Sequence, residues 1–397
     1  MSSIADFAAS ITVEELDRDP YPIYARLRDE APVCLVPAVG LWFVTTWEGV
    51  EQAATNPTLY SSAVEPSPLR RTMGGTSILV ADGEPQRKLR GMLDPSLRPR
   101  VVEASTPALI EPLVGEILDR IEGNGEAELM SEFFEPVSVL GLGRVLGLGE
   151  LDGDTLRRWF HGLAQGATNF EDDPRKWAIS EATGAEIDRV LAPVFERVDA
   201  EPDASTISTM LEQADGTLDE RIAAILPTLK VILLGGMQEP GHAGGSTVVG
   251  LLESGQAEAL TSDPAGLVGD AVEEGLRWVS PIGTQTRRAE LETTLCGVDL
   301  PAGANLGALV SSANRDRVVW GETADEFDLF RPRRNHAAFG FGSHFCSGHH
   351  FSRVQLRIAI QRLFERLPEL RLDPERPPVF SGWEFRAPQE LYVRWHT

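Results

Sequence analysis

Residues 339–348 read Phe-Gly-Phe-Gly-Ser-His-Phe-Cys-Ser-Gly, and a segment with the spacing of an amphipathic helix follows directly. The glycines allow positive φ angles and let the backbone lie close to a flat group. Cys346 would sit at the start of the helix, where free N–H groups and the helix dipole stabilise a thiolate. Phe339 and Phe345 would shield that sulfur. The stretch therefore indicates either a small buried cysteine in a glycine turn or a thiolate that binds a metal.

Three histidines close to Cys346 raise a second possibility, a zinc site. They are His344, His349 and His350. Adjacent histidines at the start of a helix cannot easily both point at one tetrahedral ion, and no second cysteine pair is nearby. Zinc is therefore disfavoured.

Composition argues against several classes of protein. The chain of 397 residues has a formal net charge of −24, which argues against nucleic acid or anionic lipid as the main partner. No apolar run is long enough for a transmembrane helix, and the first residues lack the basic and apolar parts of a signal peptide. Cys34, Cys296 and Cys346 are too scattered for a disulfide framework. We expect a cytoplasmic protein without membrane contact.

Apolar spacing predicts a mainly α protein with small β-sheets. No internal repeat or long linker interrupts the sequence, so we predict a single domain over residues 1–397. Strand patterns are short, and they occur at 41–46, in a hairpin within 293–309, and near the C-terminus. Helical spacing is clearest in 106–122, 184–199, 264–279 and 350–366.

The longest predicted helix runs from about Leu218 to Glu253, and its middle is unusual. At about 1.5 Å per residue it would extend about 50 Å, enough to cross the interior. Gly235, Gly236 and Pro240 disfavour regular helix, and Pro240 cannot donate to the carbonyl of Gly236. Either two helices meet at a turn here, or one central helix is opened where a flat group must approach.

Several motifs, in the same order, resemble the cytochrome P450 family. The run Glu274-Gly-Leu-Arg277 matches its ExxR pair, whose i, i+3 spacing places both side chains on one helix face. The segments 313–316 and 327–331 resemble the stretch that leads to the haem loop, so Arg331 would complete a buried network with Glu274 and Arg277. The haem-binding loop of the family is matched by Phe339, Gly342, His344, Cys346 and Gly348.

This resemblance covers nearly the whole chain and implies the cytochrome P450 fold. The long central helix would cross the haem, and Cys346 would hold the iron of haem b. Arg90, Arg288 and His336 match the family's partners for the haem propionates, with His344 a further candidate. Where the family often has a histidine, four residues before Arg90, this chain has Gln86.

The distal side also departs from the family. An acid and a threonine usually help to deliver protons to bound dioxygen, but Gln238 and Glu239 stand in their places. They are the candidate catalytic residues. Burial beside a haem would raise the pKa of the Glu239 carboxyl and keep it protonated near neutrality. We predict that Glu239 relays protons; the alternative is that it only hydrogen-bonds the helix.

Residues 231–242, Val-Ile-Leu-Leu-Gly-Gly-Met-Gln-Glu-Pro-Gly-His, resemble the P450 component of bacterial two-component aryl O-demethylases of the guaiacol type. Segments 278–282 and 383–388 are similar too. The resemblance implies that dioxygen is used to convert a small methoxybenzene, of the kind found in lignin catabolism, to a catechol and formaldehyde. An apolar pocket with aromatic faces suits such a ring. By that resemblance the pocket would be lined by Val231, Gly235, Ile282, Thr286, Phe385 and Phe170.

Electrons must come from a separate protein, because the sequence has no glycine motif for flavin or NAD and no spaced cysteines for an iron–sulfur cluster. The subfamily resemblance implies a reductase that carries FAD and a [2Fe–2S] cluster. Arg98 and Arg100 could contact it near the thiolate side of the haem, or could simply belong to a solvated loop.

Two other functions stay open. One is a P450 hydroxylase that acts on a terpene, a fatty acid or another small apolar molecule. The other is a non-catalytic haem protein for sensing or storage. The opened helix favours dioxygen turnover over storage, and we expect none of the output domain that a sensor needs. Residues 155–185 have the polar, aromatic-spotted pattern of a lid.

Overall fold

Helices dominate the computed structural model, which describes residues 4–64, 67–169 and 172–397. The spans predicted as helical all fall on helices. Two of these helices begin well before the predicted bounds, at Pro99 instead of 106 and at Pro174 instead of 184. The helices are α1 (Ile4–Ser10), α2 (Val13–Arg18), α3 (Tyr21–Glu30), α4 (Trp47–Thr55), α5 (Pro68–Met73), α6 (Gly83–Leu97), α7 (Pro99–Ile121), α8 (Glu135–Leu146), α9 (Gly153–Ala167), α10 (Pro174–Ala200), α11 (Thr206–Gln213), α12 (Leu218–Gly235), α13 (Glu239–Glu253), α14 (Ala257–Ser262), α15 (Pro264–Trp278), α16 (Val310–Ala313), α17 (Arg317–Trp320) and α18 (His349–Arg366).

The strands are short and form small sheets, as predicted. The largest sheet has the order β1-β2-β8-β5-β3, and a second has the order β4-β12-β9. The predicted hairpin is β6–β7; the next strand, β8, leaves it and pairs with β2 and β5. The strands are β1 (Val33–Val36), β2 (Leu41–Val44), β3 (Tyr60–Ser61), β4 (Glu126–Glu128), β5 (Gln285–Ala289), β6 (Thr293–Leu295), β7 (Val298–Leu300), β8 (Asn305–Ala308), β9 (Arg371–Leu372), β10 (Phe380–Ser381), β11 (Ala387–Pro388) and β12 (Tyr392–Arg394).

The helix α13 lies in the middle of the protein, where it is buried along nearly its whole length. Glycines let neighbours approach its backbone closely. A Cβ added at Gly244 would lie 2.4 Å from the Phe134 ring, and one at Gly250 would lie 2.3 Å from the Phe327 ring. This close packing fixes α13 against the helices that surround it.

The central helix is interrupted. Helix α12 ends at Gly235 and α13 begins at Glu239, so the segment Gly236–Gln238 is not helical. Pro240 is the second residue of α13, a position where its missing N–H costs no helical hydrogen bond. Two helical segments therefore meet at a short turn, at the place where the sequence predicted an opening.

The combined span Leu218–Glu253 has the length and hydropathy that a membrane-crossing helix needs, with a mean hydropathy of 1.4 in its most apolar window. Half of that window is buried inside the protein, at 50%. Because the core helix of a water-soluble protein has the same properties, the span is weak evidence for a membrane segment.

Candidate active site

The loop around Cys346 is shaped by glycines in the left-handed region. Gly340 has φ +72° and Gly342 has φ +64°, so both would be strained as any other residue. Space excludes side chains as well: a Cβ at Gly340 would lie 2.1 Å from the Gln285 amide, and one at Gly342 would lie 3.1 Å from the Ala54 carbonyl. The loop is thereby held close to α4 and β5.

Cys346 is fixed by its backbone, while its side chain remains accessible. The Cys346 N–H donates to the Phe339 carbonyl at 2.9 Å, and the side chain is exposed although protein surrounds the loop. Burial raises the pKa of the thiol, and the nearby Glu239 carboxyl adds to this increase. The Gly348 N–H, Arg90 and Arg353 act in the opposite direction. The effect of burial on the pKa therefore outweighs the stabilisation of a thiolate that was predicted from the start of the helix. Deprotonation of this sulfur would need a bound cation.

Phe339 anchors the loop against α18. The Arg353 guanidinium lies 4.4 Å from the centre of the Phe339 ring, and the rings of Phe345 and His349 pack around it. Arg353 also pairs with Glu273. The aromatic shield predicted for Cys346 is thus part of a packed cluster.

His336 lies buried just before the loop. Its Nδ1 accepts from the Ala338 N–H at 3.2 Å, and its Nε2 lies 3.2 Å from the Glu273 carboxylate. Among the described residues, His336 Nε2 has no hydrogen-bond partner. Burial alone would raise the pKa of Glu273, but contacts with His336 and Arg353 lower it to about 2. Because Nδ1 accepts a hydrogen bond, the proton of a neutral His336 ring lies on Nε2, which can donate to a carboxylate. His336 thus supports the loop and stays a candidate propionate partner.

Arg288, predicted as a propionate partner, lies next to a more deeply buried arginine, Arg287. On β5 Arg287 is 6% exposed, whereas Arg288 is only half-buried and approaches Gly303. Adjacent residues of a strand face opposite sides of the sheet. A motif alignment that is shifted by one residue therefore selects the arginine on the other face of β5. Burial lowers the pKa of Arg287 to about 10, and among the described residues its Nη2 has no hydrogen-bond partner. Arg287 thus replaces Arg288 as the candidate for binding a carboxylate.

Asp82 joins this region, although no local pattern in the sequence predicted it. Its carboxylate contacts His344 Nε2 at 2.9 Å and accepts from Ser61 Oγ at 2.7 Å and Ser62 N at 2.9 Å. Burial alone would raise the pKa of Asp82, but these hydrogen bonds outweigh it and hold the pKa well below its usual value. Asp82 also stabilises the charged form of Arg287. His344, predicted as a propionate candidate, is therefore already oriented by a carboxylate.

Arg90 and Gln86 contact the loop directly from α6. Arg90 donates to the Phe345 carbonyl at 2.6 Å and to Asp94 at 2.8 Å. A guanidinium has five N–H donors, so these contacts do not exhaust it. Gln86 donates to the Ser343 carbonyl at 2.6 Å. The glutamine that replaces the family's histidine is therefore used to hold the loop.

Open space lies where the central helix is interrupted. Gly235 is exposed in the middle of the core, and a Cβ added there would meet nothing within 4 Å. Glu239 is 9% exposed, and among the described residues neither of its oxygens has a hydrogen-bond partner. Burial raises the pKa of Glu239 to about 7. One turn further, burial lowers the pKa of His242 to about 4. Gln238, the other candidate catalytic residue, is the half-buried N-cap of α13.

The predicted pocket residues are partly brought together. Ile282 and Phe385 are partners in an isolated antiparallel bridge, and Phe385 keeps 37% of its surface exposed. Val231 precedes Gly235 by one turn of α12 and is buried. Thr286 is half-buried on β5, next to Arg287 but on the opposite face of the strand. Phe170 lies outside the described residues.

The predicted Glu–Arg–Arg network is present behind the loop. Glu274 and Arg277 are 5% and 1% exposed and form two hydrogen bonds of 2.8 and 2.7 Å. Arg331 donates to the same carboxylate at 3.1 Å. Arg277 also donates to the carbonyls of Asn314 and Ala324, so its charge is well compensated. Removal of one partner would leave a buried charge, which typically costs about 3–5 kcal/mol.

These groups fit a haem. The carboxyl of Glu239, which has no hydrogen-bond partner among the described residues, raises the pKa of the accessible Cys346 thiol, and the turn before Glu239 has open space at Gly235. The incompletely paired guanidinium of Arg287 is suited to a carboxylate, and haem carries two. A thiolate ligand, an opened helix and a buried cation are what such a macrocycle requires.

Comparisons with known proteins agree with this site. The family model for cytochrome P450 matches residues 267–389. The steroid C26-monooxygenase of Mycolicibacterium smegmatis is 30% identical over 344 residues, which are 85% of this chain and 83% of that protein. The biotin biosynthesis cytochrome P450 of Bacillus subtilis is 27% identical over 401 residues, or 97% and 98% of the two chains. The crystal structure of P450BioI with a fatty-acyl-ligated acyl carrier protein has a TM-score of 0.86 at 27% identity, and the match covers 97% of this chain and 99% of that one.

The predicted fold is thereby confirmed, since the helices and small sheets superpose on solved P450 structures over nearly their full length. Family membership implies haem, dioxygen and a redox partner. The chain belongs to the cytochrome P450 family of monooxygenases.

Proposed function

We propose that this P450 demethylates small methoxylated aromatics, giving a catechol and formaldehyde. The observation that supports the proposal best is the interrupted central helix, where Gly235 leaves open space beside an unpartnered Glu239. An open space at a glycine admits the substituent of a flat ring. An acid takes the place of the family's usual alcohol at the point where protons are needed.

Haem b, when bound, supplies reductive activation of dioxygen and oxidation of a C–H bond. Cys346 would hold its iron as a thiolate. Arg287 would bind one propionate, and Arg90 and His344 lie on the same side of the loop as further donors. With these assignments, the macrocycle would lie between the Cys346 loop and the α12–α13 turn.

Glu239 would hold and deliver a proton at its carboxyl oxygens. Because its pKa is about 7, both protonation states are populated near neutrality. A carboxyl with this pKa can donate a proton and be reprotonated without a large free-energy cost. The candidate role of Gln238 is to orient this turn as the N-cap of α13.

An apolar wall would position the ring. The Ile282–Phe385 bridge joins two distant segments, so the Phe385 ring is presented from a paired backbone. Val231 and Gly235 would provide the opposite wall from one face of α12. For Thr286 and Phe170, a place in the pocket is proposed from the resemblance alone. A pocket of this composition favours a compact aromatic molecule.

A separate reductase with FAD and a [2Fe–2S] cluster would supply the electrons, in the cytoplasm. Arg98 and Arg100 are exposed at the start of α7, immediately after the helix that contacts the Cys346 loop. This position would allow them to contact such a partner. Their cationic charge contrasts with the net charge of −24 of the chain.

The test is a substrate titration of the haem-loaded protein. Guaiacol and related methoxybenzenes should shift the ferric iron to high spin, and with a reductase present they should release formaldehyde equal to the catechol formed. The matched comparison is phenol or catechol, which lack the methyl group and should release none. Binding of long-chain acids or steroids with no response to methoxybenzenes would overturn the proposal.

The second candidate is hydroxylation of a larger apolar molecule. It is favoured by the relatives, which include a steroid C26-monooxygenase and a P450 solved with a fatty-acyl carrier protein. The same titration separates the two functions, because a steroid or fatty acid would give the spin shift and a hydroxylated product without formaldehyde.

A further inference from the structure

One face of α6 runs alongside the loop that carries Cys346. Four side chains at successive four-residue intervals make up this face, which we call the α6 row: Asp82, Gln86, Arg90 and Asp94. Residues four apart lie on the same side of a helix. Each member of the α6 row contacts a different residue of the segment 343–347.

The contacts are short and mostly involve an ionised group. Asp82 contacts His344 at 2.9 Å, Gln86 donates to the Ser343 carbonyl at 2.6 Å, and Arg90 donates to the Phe345 carbonyl at 2.6 Å. Ser347 Oγ donates to Asp94 at 2.8 Å. Hydrogen bonds to charged groups are about twice as strong as neutral ones.

The last of these contacts is a tether next to the sulfur. Asp94 receives Ser347 on one carboxylate oxygen and Arg90 on the other, both at 2.8 Å. Cys346 therefore lies between Phe345 and Ser347, and both of these neighbours are bound to adjacent turns of α6. The side chains of Arg90 and Asp94 are 23% and 37% exposed, so the tether lies near the surface.

We propose that the α6 row, and the Asp94–Ser347 contact in particular, positions the thiolate so that Cys346 stays bound to the iron. Asp94 and Ser347 are positioning residues, because their contact acts on Cys346 through the backbone of the adjacent residue. The α6 row fixes the loop at both sides of the ligand, which limits the motion of the sulfur away from the metal. This inference rests on Cys346 being the haem ligand.

The test measures how long the thiolate ligation lasts. The absorption of the ferrous carbon monoxide complex distinguishes thiolate from thiol ligation, and its conversion can be followed during mild warming. Ser347→Ala and Asp94→Ala should each convert about tenfold faster than wild type, as expected for the loss of one hydrogen bond to a charged group. Ser347→Thr keeps the hydroxyl and should convert at the wild-type rate.

Ser96→Ala is the matched control, because this serine lies on the same helix and donates to the Leu93 carbonyl at 2.9 Å. It should leave the conversion rate unchanged. The double variant Ser347→Ala/Asp94→Ala should convert no faster than Asp94→Ala, since the two groups share one contact. The melting temperature, measured by far-ultraviolet circular dichroism, should be the same in all these variants.

The outcomes separate the two levels of inference. If wild type never shows the thiolate absorption, the haem-ligand assignment fails. If wild type shows it, but Ser347→Ala and Asp94→Ala convert at the rate of Ser96→Ala, the α6 row has no positioning role. The proposal would also be overturned if the variants that convert faster had a correspondingly lower melting temperature, because this would indicate a general loss of stability.

Discussion

Glu239 is the residue whose environment bears most directly on catalysis. Its carboxyl is buried without a hydrogen-bond partner in the part of the chain that the structure describes, and its pKa is about 7, which sets it apart from the other acidic residues of the central helix. We expect Glu239→Gln to lower the fraction of electrons that reach product and to release more peroxide, because the amide cannot donate and regain a proton. The effect should be largest near neutrality. Product and NADH consumption measured together would check it, and full coupling in Glu239→Gln would exclude the relay.

The same group makes the folded state sensitive to pH. The pKa of Glu239 is raised from 4.5 to about 7, so the folded protein binds this proton more tightly than the unfolded chain does. The resulting stabilisation is present below about pH 4.5 and is lost as the pH rises through about 7. Glu239→Gln cannot ionise, so its stability relative to wild type should rise by about 2 kcal/mol between about pH 5 and pH 8.

Thermal or urea unfolding of the haem-loaded proteins at both pH values measures this difference. Glu258→Gln is the control, because Glu258 is exposed at the surface and should show no such trend. A constant difference between Glu239→Gln and wild type would contradict the assigned pKa.

Arg287 and Arg288 offer a comparison between neighbours. Arg287 is buried near Asp82, whereas Arg288 faces the other side of β5. We expect Arg287→Leu to lose haem at least about tenfold faster than wild type, since a propionate would lose its charged partner. Arg288→Leu should retain haem normally. Transfer of haem to apomyoglobin measures both rates, and the reverse order would restore the original prediction of Arg288.

At the level of elements, the turn between α12 and α13 leaves open space at Gly235. A methyl group added at Gly235 would enter open space, because nothing lies within 4 Å of it. We expect Gly235→Ala to fold with unchanged or slightly higher stability, since alanine is favoured over glycine in a helix by about 1 kcal/mol. Affinity for the aromatic substrate should fall about tenfold, as expected for a methyl group that obstructs an apolar site.

Gly115→Ala is the matched control for this change. Gly115 also lies within a helix, and a Cβ there would meet nothing within 4 Å. Gly115→Ala should also fold with unchanged or slightly higher stability, and its affinity for the aromatic substrate should equal that of wild type. Equal affinity in the two variants would show that the substrate does not approach Gly235.

The elements also show how far the sequence could be used for prediction. The Cys346 loop, the Glu274–Arg277 pair and the interrupted helix depend on local spacing, so they could be predicted. Arg287 could be found only once the faces of β5 were known, because two arginines are adjacent there. Asp82 and Asp94 gave no signal, since their roles arise from α6 lying against a loop distant in sequence. Contacts of this kind depend on tertiary packing and leave no local pattern.

At the level of the whole molecule, charge should govern the encounter with the reductase. The chain has a net charge of −24, yet Arg98 and Arg100 are exposed immediately after α6, the helix that contacts the Cys346 loop. If they form the docking patch, electron transfer from an acidic reductase surface should slow as salt rises, because exposed charges are screened beyond about 8 Å at physiological ionic strength. Arg98→Gln/Arg100→Gln should remove most of this salt dependence and leave substrate binding unchanged. The rate of reduction measured across a salt series would check it, and an unaltered series would place docking elsewhere.

The contact between Arg90 and the Phe345 carbonyl joins residues that are 255 positions apart in the chain. Ile282 and Phe385, which pair in an isolated bridge, are also far apart in sequence. During synthesis, the ribosome has therefore made most of the protein before either contact can form. If Cys346 binds the haem, capture would have to wait until translation has passed Cys346 and Phe385, so the cofactor would enter a nearly finished polypeptide. A supply of haem that falls short would accordingly leave completed but empty chains, with the opening beside Gly235 exposed to proteolysis.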